Sequence, residues 1–147
     1  MIFRFVVKYL GFLKSIPFFG LIYDSLIKIW LCISNPQMLS WFDEIEEEVL
    51  NWDGTSISLH RFGGTQFNYQ RKELGHLHSN GILDIRFSLQ IKKALIADGI
   101  AREHHMFAKS GWVSLYIKNQ TDVENALSLL SLAYSRRQKL QIISIDK

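Results

Sequence analysis

The chain is poor in the residues that brace a small fold from outside. It has a single cysteine, Cys32, and only two prolines. One thiol cannot close an internal disulfide, so no cross-link holds the fold and no oxidising compartment is implied. Cys32 lies in an apolar stretch and reads as a small buried hydrophobe rather than a reactive thiol. Long apolar runs are also missing: charges recur before any run reaches the roughly 18 residues of a membrane-spanning helix. No GxGxxG, P-loop or CxxC pattern occurs, and no internal repeat is visible, so the usual nucleotide-binding and zinc-ribbon signatures are absent.

Excess charge is scarce as well, except in one place. The net charge of +3 resides entirely in residues 1–33, which hold Arg4, Lys8, Lys14 and Lys28 against Asp24. Residues 34–147 are balanced, with 13 basic and 13 acidic side chains. A nucleic-acid footprint would place a basic patch on the folded domain. Here the cations accompany the most apolar part of the chain, a pattern suited to an anionic membrane surface.

What is present is enough apolar material for one core. With 147 residues, 48% of them hydrophobic, the chain suits a single folded domain. Residues 1–34 form an apolar, basic, helical N-terminal segment and residues 35–147 form the domain. In the segment, Phe3, Val6, Val7, Leu10 and Leu13 trace one helical stripe. Leu21, Ile22, Leu26, Ile29 and Ile33 trace another, with a bend expected at Pro17 and Gly20. No continuous apolar core precedes a small-residue cleavage site, which argues against a signal peptide. Two readings stand for residues 1–33: an anchor lying in a membrane surface, or helices that cover the domain or join copies of it into a homo-oligomer. The corresponding location is cytoplasmic, at a membrane periphery in the first case.

In the domain, Asn35 and Pro36 start a helix to about Leu50, whose run of acids from Asp43 to Glu48 is a solvated face. Strands follow over 56–62, 65–69, 73–78 and 82–87, with hairpin turns at Gly63-Gly64 and Ser79-Asn80-Gly81. Ser88 caps an amphipathic helix closed by Gly99, on which Lys92 is read as solvated. A strand over 112–117 precedes a helix opened by a capping box, Thr121 and Glu124. Its basic end, Arg136, Arg137 and Lys139, complements the helix dipole, and 142–145 suits a short edge strand. The fold class is α+β: a mostly antiparallel sheet of four to six strands, with two C-terminal helices on one face and the apolar helices at the N-terminus.

Strand alternation sorts the chemistry. Leu83, Ile85 and Phe87, with Val113, Leu115 and Ile117, take the core face. The opposite face collects His76, His78, Leu74, Asp84, Arg86, Trp112, Ser114 and Tyr116, a mixture that suits a pocket for a small apolar or aromatic ligand. Two chemistries fit. His76, His78 and Asp84 match the two-histidine, one-carboxylate metal set of iron oxygenases. Alternatively a histidine is a general base tuned by Asp84, and Arg86 holds an anion. His104 and His105 lie on a loop that can fold over such a pocket, and His60 is a weaker candidate. Interacting polar residues on a wet sheet face would also leave this pattern.

The segment Arg71-Lys72-Glu73-Leu74-Gly75-His76-Leu77-His78, followed by Asp84, Glu103-His104-His105 and Ser110-Gly111-Trp112-Val113, resembles the luciferase domain family. The resemblance covers roughly residues 56–137. Fungal luciferases carry a similar Glu-x-x-His-x-His segment, a Trp strand and an apolar membrane-associating start. The resemblance implies an oxygenase without metal or nucleotide, in which molecular oxygen is co-substrate and the other substrate is small and conjugated or enolic. It implies catalytic roles for His76, His78 and Glu73, with Trp112 as a wall. This chain lacks the long insertions of the fungal proteins, so fold and site carry over better than substrate. A non-catalytic, membrane-associated interaction module is the competing expectation.

Overall fold

A computed structural model describes residues 17–104 and 106–145, with side chains from 20 to 141 apart from His105. Among them are helices α1 (Pro17–Ser34), α2 (Pro36–Leu50), α3 (Leu89–Ala97) and α4 (Gln120–Ile145). The strands are β1 (Thr55–Leu59), β2 (Thr65–Tyr69), β3 (Lys72–Leu77), β4 (Ile82–Arg86), β5 (Arg102–Glu103) and β6 (Trp112–Tyr116). They form one six-stranded sheet in the order β1-β2-β3-β4-β6-β5. Every neighbouring pair is antiparallel, and the class is α+β as the pattern of the sequence indicates.

The period-two alternation of β4 and β6 decides which face is covered. Leu83, Ile85, Val113 and Leu115 are almost fully buried and join one hydrophobic cluster with Val123, Ala126 and Leu130 of α4. Phe42, Ile45 and Val49 of α2, spaced as one helical stripe, enter the same cluster. The helices α2 and α4 pack on each other and on the sheet, while α3 packs beside β5. The opposite face of β3, β4 and β6 is thereby left to the polar side chains.

Several local expectations are corrected. The helix α1 runs through Gly20 without a bend, and the first stripe, residues 3–13, lies outside the described residues. Its buried side carries Asp24, Ile27 and Leu31, whereas Ile22, Leu26, Ile29 and Ile33 of the expected stripe are exposed. Asp24 explains the rotation: its carboxylate accepts from the Ser79 backbone N–H at 3.2 Å, and Gly63 packs against it. A helix tied by a polar side chain turns that side inward. Cys32 is exposed, not buried. No helix among the described residues is long and apolar enough to cross a membrane.

The turn after β1 is wider than a two-residue hairpin, since Leu59 pairs with Thr65 and residues 60–64 loop out. Gly64 is required in it: at φ +85°, a Cβ would stand 2.2 Å from the Leu77 carbonyl oxygen. The helix α4 starts one residue before the expected capping box, because Asn119 caps it by accepting from the Asp122 N–H at 3.0 Å. Residues 142–145 are not an edge strand but the end of α4. Lys92 is buried, not solvated.

The turn between β2 and β3 is the tightest in the sheet. Gln70 and Arg71 have φ of 45° and 66°, the left-handed pair that a two-residue hairpin demands and that Asn-Gly normally supplies. Placing a side chain there costs about 1 kcal/mol per residue. The substitution Arg71→Gly is expected to raise the unfolding free energy by about 1 kcal/mol in urea melts. A destabilised variant would show that the Arg71 side chain contributes more than its backbone costs.

Candidate functional site

Three adjacent strands put three polar side chains abreast. His76 pairs with Asp84, and Asp84 pairs with Ser114. Asp84 is fully buried at 0% exposure. The Ser114 hydroxyl donates to its Oδ1. Its Oδ2 faces the Nε2 atoms of His76 at 3.6 Å, His78 at 3.3 Å and His104 at 3.4 Å. Three imidazoles, two from β3 and the residue after it and one from a distant loop, thus converge on one carboxylate oxygen.

Glu73 reaches this cluster through a bulge. Phe67 pairs with Gly75 and Asn68 with Glu73, so Leu74 has no partner on β2. In a regular strand residues 73 and 76 would face opposite sides of the sheet. The extra residue resets the alternation. Leu74 therefore enters the hydrophobic core, not the histidine face expected for it. The Glu73 carboxylate lands 2.6 Å from His76 Nδ1.

The remaining histidines come from loops. His60, beyond the end of β1, stacks on His76 with ring centroids 3.9 Å apart and planes within 6°. His104 lies between β5 and β6, and its Nδ1 accepts from the Met106 and Phe107 backbone N–H groups at 3.1 and 3.2 Å. A nitrogen that accepts twice carries no proton, so the His104 proton sits on Nε2 and points at Asp84. Lys92 steadies this loop: its buried ammonium donates to the Ala108 and Ser110 carbonyls at 2.5 and 3.0 Å. Trp112 forms a wall, its ring 5.3 Å from His76 and 6.1 Å from His104.

Of the residues singled out from the sequence, the structure brings together His76, His78, Glu73, Asp84, His104 and Trp112. Arg86 is exposed at the end of β4 and lines a cleft beside α4. Tyr116 packs under cations, with Arg102 5.3 Å and Lys118 5.8 Å from its ring centroid. His105 lies outside the described residues. By sequence His60 ranks with His104 and His105 as a weaker candidate, and a five-residue turn hides its approach to His76. Ser114 was on the correct face, but nothing in its spacing announced the bond to Asp84.

Burial alone would push the Asp84 carboxyl upward, but the His78 and Ser114 hydrogen bonds and the nearby His104 and His76 rings outweigh it and hold it below its usual value. Glu73 is likewise lowered: burial opposes ionisation, and the His76 hydrogen bond and charge overcome it. His60 is lowered to about 4, first by burial and then by repulsion from His76. Two sets could also hold a cation: His76, His78 and Asp84, or His60, Glu73 and His76. In the first, Glu73 would orient His76 from behind, the usual arrangement at a metal-bound imidazole.

Fold and cluster together define a small α+β protein with a buried histidine–carboxylate centre on the sheet face opposite its helices. The model of one protein family, the Luciferase domain, matches residues 71–133. Residues 71–133 are thus similar to this domain, and that stretch contains every cluster member except His60. No curated protein and no solved structure matches the chain.

The acid response follows from these groups. Unfolded, His60 takes up a proton below about pH 6.5, whereas in the fold it stays neutral to about 4. Stability is therefore complete above pH 6.5 and declines as pH falls through that window. Asp84 and Glu73, both lowered, add a further loss at more acid pH. Urea melts from pH 7 to 4.5 are expected to show the decline, and His60→Phe to flatten it. A pH-independent wild type over that range would contradict the burial of a neutral His60.

Proposed function

We propose that this luciferase-domain protein is an oxygenase without a resident cofactor, which joins molecular oxygen to a small conjugated or enolic substrate at the imidazole cluster. The observation that carries the reading is the set of rings around Asp84 within the matched domain. Their protons are ordered. His104 Nδ1 accepts two backbone N–H groups, so its proton is on Nε2, 3.4 Å from Asp84 Oδ2, and His104 is a donor and not a base. His76 Nδ1 bonds the ionised Glu73, which leaves its Nε2 to accept a proton. Asp84 and Glu73 lie on either side of the ring and balance the charge it takes up.

In this reading an apolar, aromatic ligand sits against Trp112, and His76 Nε2 removes its acidic O–H or C–H proton. The resulting enolate is electron-rich enough to pass one electron to oxygen; recombination of the two radicals forms the new C–O bond, the O–O double bond falls to a peroxide single bond, and the negative charge ends on the distal oxygen. His78 and the His104 donor lie beside the centre to neutralise negative charge that develops on oxygen. The proposal concerns oxygenation and not light emission. The family resemblance supports this chemistry and the cluster supports its location.

One observation favours a second reading, a metal-dependent oxygenase. The 3.3 and 3.6 Å gaps from Asp84 Oδ2 to His78 and His76 exceed the 2.7–2.9 Å of a charge-assisted hydrogen bond. Two ligands on one ion with bonds of about 2.1 Å stand roughly 3.0 to 3.4 Å apart. His76, His78 and Asp84 would hold such an ion, which would supply oxygen binding; Glu73 and Ser114 would orient the ligands.

Oxygen uptake by the full-length protein tests both readings, with a hydroxylated styrylpyrone and simpler cyclic enols as probes. His76→Ala and His76→Gln are expected to lower the rate by about 100-fold or more with little change in melting temperature. Uptake unaffected by either substitution would refute the role of His76. Elemental analysis separates the mechanisms. A metal-free, chelator-resistant enzyme is expected. A stoichiometric ion lost in His76→Ala would replace this reading with the metal-dependent one.

A further inference from the structure

Arg136 and Arg137 first read as the basic end of the last helix, where cations offset the dipole. The structure removes that explanation. The helix α4 continues to Ile145, which puts both arginines more than two turns inside it. They project beside Arg86 at the end of β4, and the three line one cleft of about 270 Å³. Guanidiniums from segments fifty residues apart thus meet in a single recess. Among the described residues none of them forms an ion pair.

The one acid in the cleft does not compensate them. The Glu73 carboxylate bonds His76 at 2.6 Å, and its backbone carbonyl accepts from Arg137 at 3.4 Å. The rest of the floor is apolar, including Leu74, Phe87 and Ala133. A second cleft of about 240 Å³ shares Arg137 and Leu140 and adds Lys72. The two clefts adjoin along α4 at Arg137 and Leu140, with cationic side chains in both and apolar ones chiefly in the first. Three guanidiniums without a carboxylate partner line one cleft, and their forked donors match carboxylate and phosphate oxygens.

We infer that this cleft is a binding site for a single-chain amphiphile with an anionic head: Arg86 and Arg136 grip a phosphate or carboxylate, and a hydrocarbon tail lies along Leu74 and Leu140. Arg137 is a positioning residue, since it also holds the Glu73 backbone. The site is separate from the imidazole cluster and does not rest on the oxygenase reading.

Calorimetric titration of the full-length protein with dodecyl phosphate, below its micelle concentration, tests the inference. Binding is expected, weakened by salt and at least tenfold weaker in Arg86→Gln and in Arg136→Gln. Both side chains are exposed, so folding is expected to survive, and Arg86→Lys, which keeps the charge but not the fork, should restore only part of the affinity. Inorganic phosphate is expected to bind far more weakly and dodecanol not at all. Equal binding by the Gln variants, or equal affinity for inorganic and dodecyl phosphate, would overturn the site. So would binding to phosphatidylglycerol vesicles without binding to the monomeric amphiphile, which would assign the arginines to a bilayer headgroup.

Discussion

An ionised carboxylate with no exposed surface is the constraint around which this structure is arranged. Burying such a charge costs several kcal/mol unless partners offset it. The Ser114 hydroxyl donates to one oxygen of Asp84, and the His78 and His104 rings stand 3.3 and 3.4 Å from the other, with His76 alongside at 3.6 Å. Each comes from a different position in the chain, so the charge can be tolerated only when β3, β4 and β6 are in register and the loop to His104 is closed. Shifting β4 by one residue would put Asp84 in the aliphatic core and Ile85 among the imidazoles. The polar centre therefore specifies the pairing that the hydrophobic face stabilises. A carboxylate held below its usual range stays ionised and can stabilise positive charge that develops on a neighbouring imidazole. In that way the same interaction links fold and chemistry.

The alternation in the sequence made much of this legible. Leu83 and Ile85 against Asp84, and Val113 and Leu115 against Ser114, are unambiguous period-two patterns, and they fix both the core face and the site face. His76 opposite Asp84 follows from a hairpin closed at Ser79-Asn80-Gly81. Alternation failed where the ladder itself is irregular. Leu74 was assigned to the histidine face because a bulge leaves no compositional trace, and by spacing alone Glu73 belonged on the other side from His76. Only the family resemblance pointed to it.

Other parts were hidden because they depend on tertiary contact. His60 enters through a turn whose width no local residue dictates. Lys92 looks like a solvated lysine on an amphipathic helix until the carbonyls of Ala108 and Ser110 come within reach of its ammonium. The apolar stripe of α1 was traced on the side that proves exposed, since the helix is oriented by one aspartate rather than by its most apolar face. Asp24 accepts from the turn that follows His78. The helix α1 thus braces the site from outside and is not merely attached to it. The arginines of α4 looked like a helix end only because the helix was read as stopping too early.

The central claim is that His104 turns its Nε2 proton toward a buried, ionised Asp84 while His76 keeps its proton on Nδ1, toward Glu73. Two-bond nitrogen–proton correlation spectra of the histidine rings, recorded at neutral pH on wild type and on Asp84→Asn, test it most directly. The account predicts His104 protonated on Nε2 with a bare Nδ1, and His76 protonated on Nδ1, with the His78 and His104 signals displaced when the carboxylate is removed. A His104 ring protonated on Nδ1, or spectra unchanged by Asp84→Asn, would contradict it.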